Sequence, residues 1–219
     1  MTNNPFQHKE KPGGIMGCNR KALVALIGSV FMVGTTQVFA GPSASAMANT
    51  CAGCHGTNGQ SAGPASPNLA GMSEAYFVEA MQGFKKLPKD KSHAIEEEAR
   101  PATIMNRIAK GYTDEQIEQM GAHFAKMPVY KAKVPHDAAK AKAGAAIYDK
   151  SCSKCHDENG GLPDDDAGIL AGQWLPWLQY SMADYQSGHR EMPKKMKKQV
   201  EKLSDAEIES VLNFFASQQ

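Results

Sequence analysis

Cys51-Ala52-Gly53-Cys54-His55 and Cys152-Ser153-Lys154-Cys155-His156 are the same pattern, Cys-x-x-Cys-His, set 101 residues apart. The repetition runs well beyond the motif. At the same shift, Leu69-Ala70-Gly71 falls on Leu170-Ala171-Gly172, Tyr76 on Trp177 and Met81 on Met182. Further along the shift becomes 91, where Thr113-Asp114-Glu115-Gln116-Ile117 matches Ser204-Asp205-Ala206-Glu207-Ile208. The second copy is thus shorter by ten residues, and the charged stretch 85–100 of the first copy holds the surplus. A chain that repeats itself in this way folds as two copies of one unit.

Each unit ends in a helix. Thr113 with Gln116, and Ser204 with Glu207, are capping boxes. Ile117, Met120, Gly121 and Phe124 then follow helical spacing, as do Ile208, Val211, Leu212 and Phe215. Residues 143–150 read as a short helix leading into the second cysteine pair, and residues 44–50 as a weaker counterpart. No stretch alternates in the manner of a strand, so the expected fold class is all-α, two small domains in tandem. The expected boundaries are 41–128 and 136–219, with a linker at 129–135 between Pro128 and Pro135. Domains of this size bury a limited core and generally need a metal, a staple or a large cofactor.

The first 40 residues read as an export signal. Arg20 and Lys21 precede an apolar run from Ala22 to Gly34, and Val38-Phe39-Ala40 suits a signal peptidase cutting after Ala40. The run is shorter than the ~20 residues that span a bilayer, so no membrane span is expected in the mature chain. Residues 1–40 carry four basic and one acidic side chain, and their loss takes the net charge from +1 to −2. Neither value gives the basic field that nucleic-acid binding requires. Cys18 leaves with the signal, and the remaining four cysteines belong to the two motifs.

Three chemistries use Cys-x-x-Cys. Thioredoxin-like redox work sits in a βαβ pattern, which is absent. Structural zinc needs four ligands brought together, whereas these motifs are far apart and each has its own His. Covalent haem c uses every residue of the motif: Cys51, Cys54, Cys152 and Cys155 as thioether links, His55 and His156 as iron ligands. Two covalently bound haem c groups are therefore expected. Of the nine methionines beyond residue 40, most are core filler. Met105 and Met196 coincide at the shift of 91, each seven residues before the residue that precedes the capping box, and are the expected sixth ligands. Met192 remains an alternative for the second domain. His and Met fill both axial positions and raise the reduction potential, which suits electron transfer and opposes peroxidase or oxygen chemistry at iron. No catalytic group is expected on this chain.

These residues resemble the di-haem class I cytochromes c. Several stretches are similar to the cytochrome subunit of flavocytochrome c sulfide dehydrogenase: Cys51 to Gly56, Gly63 to Pro67, Thr103 to Tyr112, Ile169 to Trp174, Leu178 to Met182, Met192 to Met196 and Phe215 to Gln219. The resemblance implies a periplasmic electron-accepting subunit, not an enzyme by itself. It implies a flavoprotein partner that carries FAD and oxidises sulfide, and a soluble cytochrome c acceptor. The alternative is a free-standing di-haem carrier feeding a terminal oxidase. The family also implies the axial pairs His55 with Met105 and His156 with Met196. It further implies a carbonyl contact from Pro67, twelve residues after His55; Gly168 stands at the matching place in the second domain.

Other features have plainer readings. Lys194, Lys195, Lys197 and Lys198 surround Met196, and Glu96, Glu97 and Glu98 precede Met105; solvated charge is the simpler account of both, docking the sharper one. Asp164, Asp165 and Asp166 are read as solvated. Trp174, Trp177 and Tyr180 are spaced like one helical face, suited to a contact between the domains or between subunits, or to packing on the second haem. His93, His123, His136 and His189 lack repeat partners and are expected at the surface or in the core.

Overall fold

The computed structural model describes residues 41–86, 99–163 and 167–219. The expected export signal, Glu96 to Glu98, His93 and Asp164 to Asp166 lie outside them. Among the described residues there are helices and turns but no strands. The helices are α1 (Ala44–Asn49), α2 (Glu74–Lys85), α3 (Met105–Ala109), α4 (Asp114–Ala125), α5 (Ala138–Ser151), α6 (Leu175–Gln186), α7 (Lys194–Val200) and α8 (Asp205–Ser217). A single helical turn at Ala52–His55 lies within the first cysteine motif, and turns at Thr57–Gly59 and Asp157–Gly160 follow the two motifs.

Local sequence accounts for most helix starts. Ser43, Ser73 and Asp137 accept from backbone N–H groups two or three residues ahead, supplying the partners a first turn lacks. Both capping boxes form: Thr113 and Gln116 bond reciprocally at 3.0 and 3.2 Å, Ser204 and Glu207 at 2.8 and 3.3 Å. The Asp137 cap starts α5 five residues before the expected Ala143. Apolar residues there are small, so periodicity understated the helix while the cap decided its start.

Two hydrophobic cores result. Met47, Phe77, Met81, Ile117, Met120 and Phe124 are buried in the first. Tyr148, Leu178, Ile208, Leu212, Phe214 and Phe215 are buried in the second. Residues 129–135, read as a linker, do more than connect: Ala132 and Val134 are buried in the second core, and the Ala132 N–H donates to the Gly172 carbonyl at 3.0 Å.

The repeat is visible in hydrogen bonds as well as in residues. Leu69 and Ala70 N–H donate to the Gly59 carbonyl, and Leu170 and Ala171 N–H to that of Gly160. Gly71 N–H donates to the Phe124 carbonyl at 3.0 Å, and Gly172 N–H to that of Phe215 at 2.9 Å.

A buried polar seam joins the two halves. Gln173 Oε1 accepts from the Asn68 N–H at 2.8 Å, while Gln173 Nε2 donates to the Asn68 carbonyl at 3.1 Å. Asn68 Nδ2 donates to the Gly172 carbonyl, and Trp174 Nε1 donates to the Ser61 carbonyl at 3.1 Å. Asn68 and Gln173 are 2% and 1% exposed, so water cannot substitute for either partner. Gln173→Leu leaves a buried donor and acceptor unpaired and should destabilise the protein by roughly 1–3 kcal/mol, read as a lower urea midpoint.

Candidate functional site

The two cysteine motifs fold alike. Each is a helical turn in which the first cysteine's carbonyl accepts from the second cysteine and from the histidine. The distances are 3.2 and 2.9 Å at Cys51, and 3.1 and 3.1 Å at Cys152. All four cysteines are free, Cys54 and Cys155 exposed, Cys51 and Cys152 half-buried. Burial pushes the Cys51 thiol up and carries Cys152 to about 11, with Cys155 adding to the latter. Among the described residues no group of three or more His, Cys, Asp or Glu is placed to hold a metal ion.

His55 is buried, and its Nδ1 lies 2.8 Å from the Pro67 carbonyl. A carbonyl only accepts, so Nδ1 carries the proton and Nε2 keeps its lone pair for a metal. Burial depresses the His55 pKa, which the Pro67 bond partly opposes; the neutral ring is the ligating form. The contact expected from Pro67 is present. In the second half, Gly168 has φ +76°, a value closed to proline. A Cβ there would also meet the Tyr76 ring at 2.7–2.9 Å. The departure from proline thus lets the second loop pack against a tyrosine of the first domain.

Cys152, Cys155, His156, Met182 and Met196 line one cavity of about 570 Å³, within the ~300–1,000 Å³ range of cofactor sites. Most of the remaining lining is apolar, including Leu170, Trp177, Leu178 and Leu212. A flat group carrying a large hydrocarbon surface, two reactive cysteines at its edge and a histidine beside them suits this lining. The donor set and the space fit haem c. Met196 lies on the cavity wall; Met192 is not among its lining residues. Met182, read as packing, touches both the second core and the cavity. In the first half, Cys51 and Met105 both pack against the first core, whereas Met81 is buried within it.

Several positioning residues escaped the sequence reading. Asn106, next to Met105, accepts from the Ala102 N–H at 2.6 Å. Its Nδ2 donates to the carbonyls of Phe84 and Arg100, tying the segment that carries Met105 to the end of α2. Tyr148 donates to the His156 carbonyl at 2.7 Å and accepts from the Asn159 N–H at 2.9 Å, fixing the turn after the second histidine. Its repeat counterpart is Met47, so comparison of the copies could not reveal this bond. The aromatic face divides: Trp174 joins the halves, Trp177 lines the cavity, and Tyr180 is 61% exposed.

The comparisons agree with this geometry. A family model described as cytochrome c matches residues 43–127, and one described as cytochrome c oxidase, cbb3-type, subunit III matches residues 139–215. Cytochrome c-554(548) of Halomonas halodenitrificans is 30% identical over 76 residues, which is 35% of this chain and 82% of that protein. The chain belongs to the di-haem class I cytochromes c. Cytochrome c4 of Azotobacter vinelandii is 29% identical over 182 residues, 78% of this cytochrome and 84% of its relative. The cytochrome subunit of sulfide dehydrogenase of Chlorobaculum tepidum is 36% identical over 78 residues, 36% of this chain and 60% of that one. The crystal structure of reduced recombinant cytochrome c4 from Pseudomonas stutzeri matches in fold. Its TM-score is 0.67 at 24% identity, covering 82% of this chain and 100% of that one.

The protein is a di-haem electron carrier, with Cys51, Cys54, Cys152 and Cys155 matching two haem c attachment motifs. Gly168→Ala places a side chain in the left-handed region against Tyr76 and should cost roughly 1–3 kcal/mol. The thermal midpoint should fall, while absorbance of the purified protein still reports two haems per chain.

Proposed function

We propose that this cytochrome is the exported, electron-accepting subunit of a flavin-containing sulfide dehydrogenase, taking electrons from FAD on a partner and passing them to a soluble cytochrome c. The observation that carries this reading is the run of matching stretches from Ile169 to Met196, supported by the identity to the Chlorobaculum tepidum subunit. On this reading residues 1–40 are a signal peptide and the mature protein is periplasmic. Residues 41–128 and 136–219 are the two domains. Among the described residues no helix is long and apolar enough to cross a membrane.

Each bound haem c supplies a one-electron iron couple. The chain's own groups determine how it is held. Paired cysteines would tether it, His55 and His156 would offer imidazole nitrogens to its iron, and Met105 and Met196 would offer thioethers. The Pro67 carbonyl fixes the tautomer of His55, a bond that orients the ligand and tunes the metal. Exposed Lys194, Lys197 and Lys198 on α7 give the second site a positive rim that would steer an acidic partner. The length of the likeness to cytochrome c4 favours a second reading, a free-standing di-haem carrier serving a terminal oxidase.

Gentle purification from the source separates the two. One flavin with two haems per complex, and haem bands reduced on adding sulfide, support the dehydrogenase subunit. Two haems without flavin, and no response to sulfide, leave the free carrier. The ligand assignment has its own check. Met196→Leu should let the reduced second haem bind carbon monoxide, whereas Met192→Leu and Met182→Leu should leave it closed. Carbon monoxide binding only in one of the latter proteins would move the ligand there.

A further inference from the structure

The cavity that holds the second haem is not built by the second domain alone. Tyr76, Glu79, Ala99 and Arg100 of the first half form part of its wall. Arg100 is 7% exposed, an unusual position for a guanidinium, because burying a charge is costly unless it is paired. Its Nη1 donates to Tyr76 Oη at 3.3 Å and its Nη2 to Glu79 Oε1 at 3.0 Å. The Tyr76 ring lies under the guanidinium, 4.9 Å from Cζ. Glu79 is a half-solvated partner, its side chain 58% exposed. From the second half, Arg190 reaches the same wall, its guanidinium over the Tyr185 ring at 4.3 Å. Two arginines, one from each domain, therefore act on the same tyrosine, Tyr76, in the wall of a cavity whose lining is otherwise mostly apolar.

We propose that Arg100 is a positioning residue for the haem of the opposite domain: with Arg190 it receives the carboxylate side chains of the second haem. The inference rests on haem c occupying the second cavity and is independent of which partner the cytochrome serves. A haem is hydrocarbon over most of its surface, and the charge at its edge is confined to its two carboxylates. The polar part of the cavity wall is the part that suits them. A guanidinium has five donors in a planar fork, of which Tyr76 and Glu79 take two, and this geometry matches a carboxylate. The contact has an electronic consequence. Positive charge near the iron favours the reduced state, which carries one positive charge fewer, so Arg100 raises the potential of the second haem. It also links that potential to the seam between the domains.

The test is a spectroelectrochemical titration of the whole di-haem protein, following its two one-electron steps. Arg100→Gln should lower the reduced-to-oxidised ratio of one haem at fixed potential by about tenfold, ~59 mV for a one-electron couple, and leave the other step in place. Arg100→Lys keeps the charge and should restore most of the shift; equal displacement in both variants would mean packing and overturn the proposal. If Arg100→Gln takes up fewer than two haems, Glu79→Gln keeps the question open. Loss of that exposed carboxylate leaves more positive charge at the wall and should raise the same step. Immobility of both steps in Glu79→Gln, or a shift of both alike in Arg100→Gln, overturns the proposal. Met196→His marks the second haem's step. A marked step that differs from the one moved by Arg100→Gln also overturns it. If Met196→His moves neither step, the ligand assignment fails, while the Arg100 comparison still stands on one step moving alone.

Discussion

The Leu-Ala-Gly segment is the tie on which each half of the molecule depends. Its first two N–H groups bind the glycine carbonyl in the turn after the cysteine motif, and its glycine N–H binds the phenylalanine carbonyl near the end of the last helix. Three backbone bonds thus fasten the turn after the cysteine motif to the closing helix, whose buried face lies in the core. Such bonds are individually modest, but unmade ones in a buried place are expensive. The tie explains why a chain with domains of only 80 to 90 residues keeps the histidine, the cysteines and the closing helix in register.

The seam between the halves is the second organising contact. The Gln173 side chain pairs with both backbone groups of Asn68, the Asn68 side chain accepts from the Ser61 N–H and donates to the Gly172 carbonyl, and Trp174 adds a bond to the Ser61 carbonyl. Buried polar groups of this kind are specific because any shift leaves them unpaired. The same seam brings Tyr76 against Gly168 and Arg100 to the second cavity. For a two-haem carrier this arrangement matters, since the wall of the second cavity includes groups from outside its own repeat. The halves are copies in sequence, yet their sites are not equivalent: His55 is held by a proline carbonyl, whereas the turn after His156 is held by Tyr148.

The fold class was legible in the sequence because its signals are local or periodic. Both capping boxes, the closing helices and the repeat can be read from spacing alone, and the structure forms them. The start of α5 was less legible, since its early residues are alanines and lysines with no apolar stripe, and a single aspartate cap sets the boundary. Residues 129–135 were legible only as a linker bounded by prolines. The alternate residues Ala132 and Val134 are nonetheless buried, because the chain must pass over the second core to reach α5.

At the sites, the sequence by itself determined the chemistry: Cys-x-x-Cys-His is a covalent requirement, so its residues and their number specify the cofactor class wherever the motif lies. It also nominated Met105 and Met196, because a repeated unit keeps its ligands at matching positions. Tertiary structure decided the surroundings. Met196 lies on the cavity wall, Met182 lies there too, and Arg100 arrives from the other domain. Asn106, Tyr148, Asn68 and Gln173 act through hydrogen bonds whose partners are mostly distant in the chain or are backbone atoms. Such partners leave no periodic trace, since they are chosen by how the helices pack rather than by the spacing of residues along them.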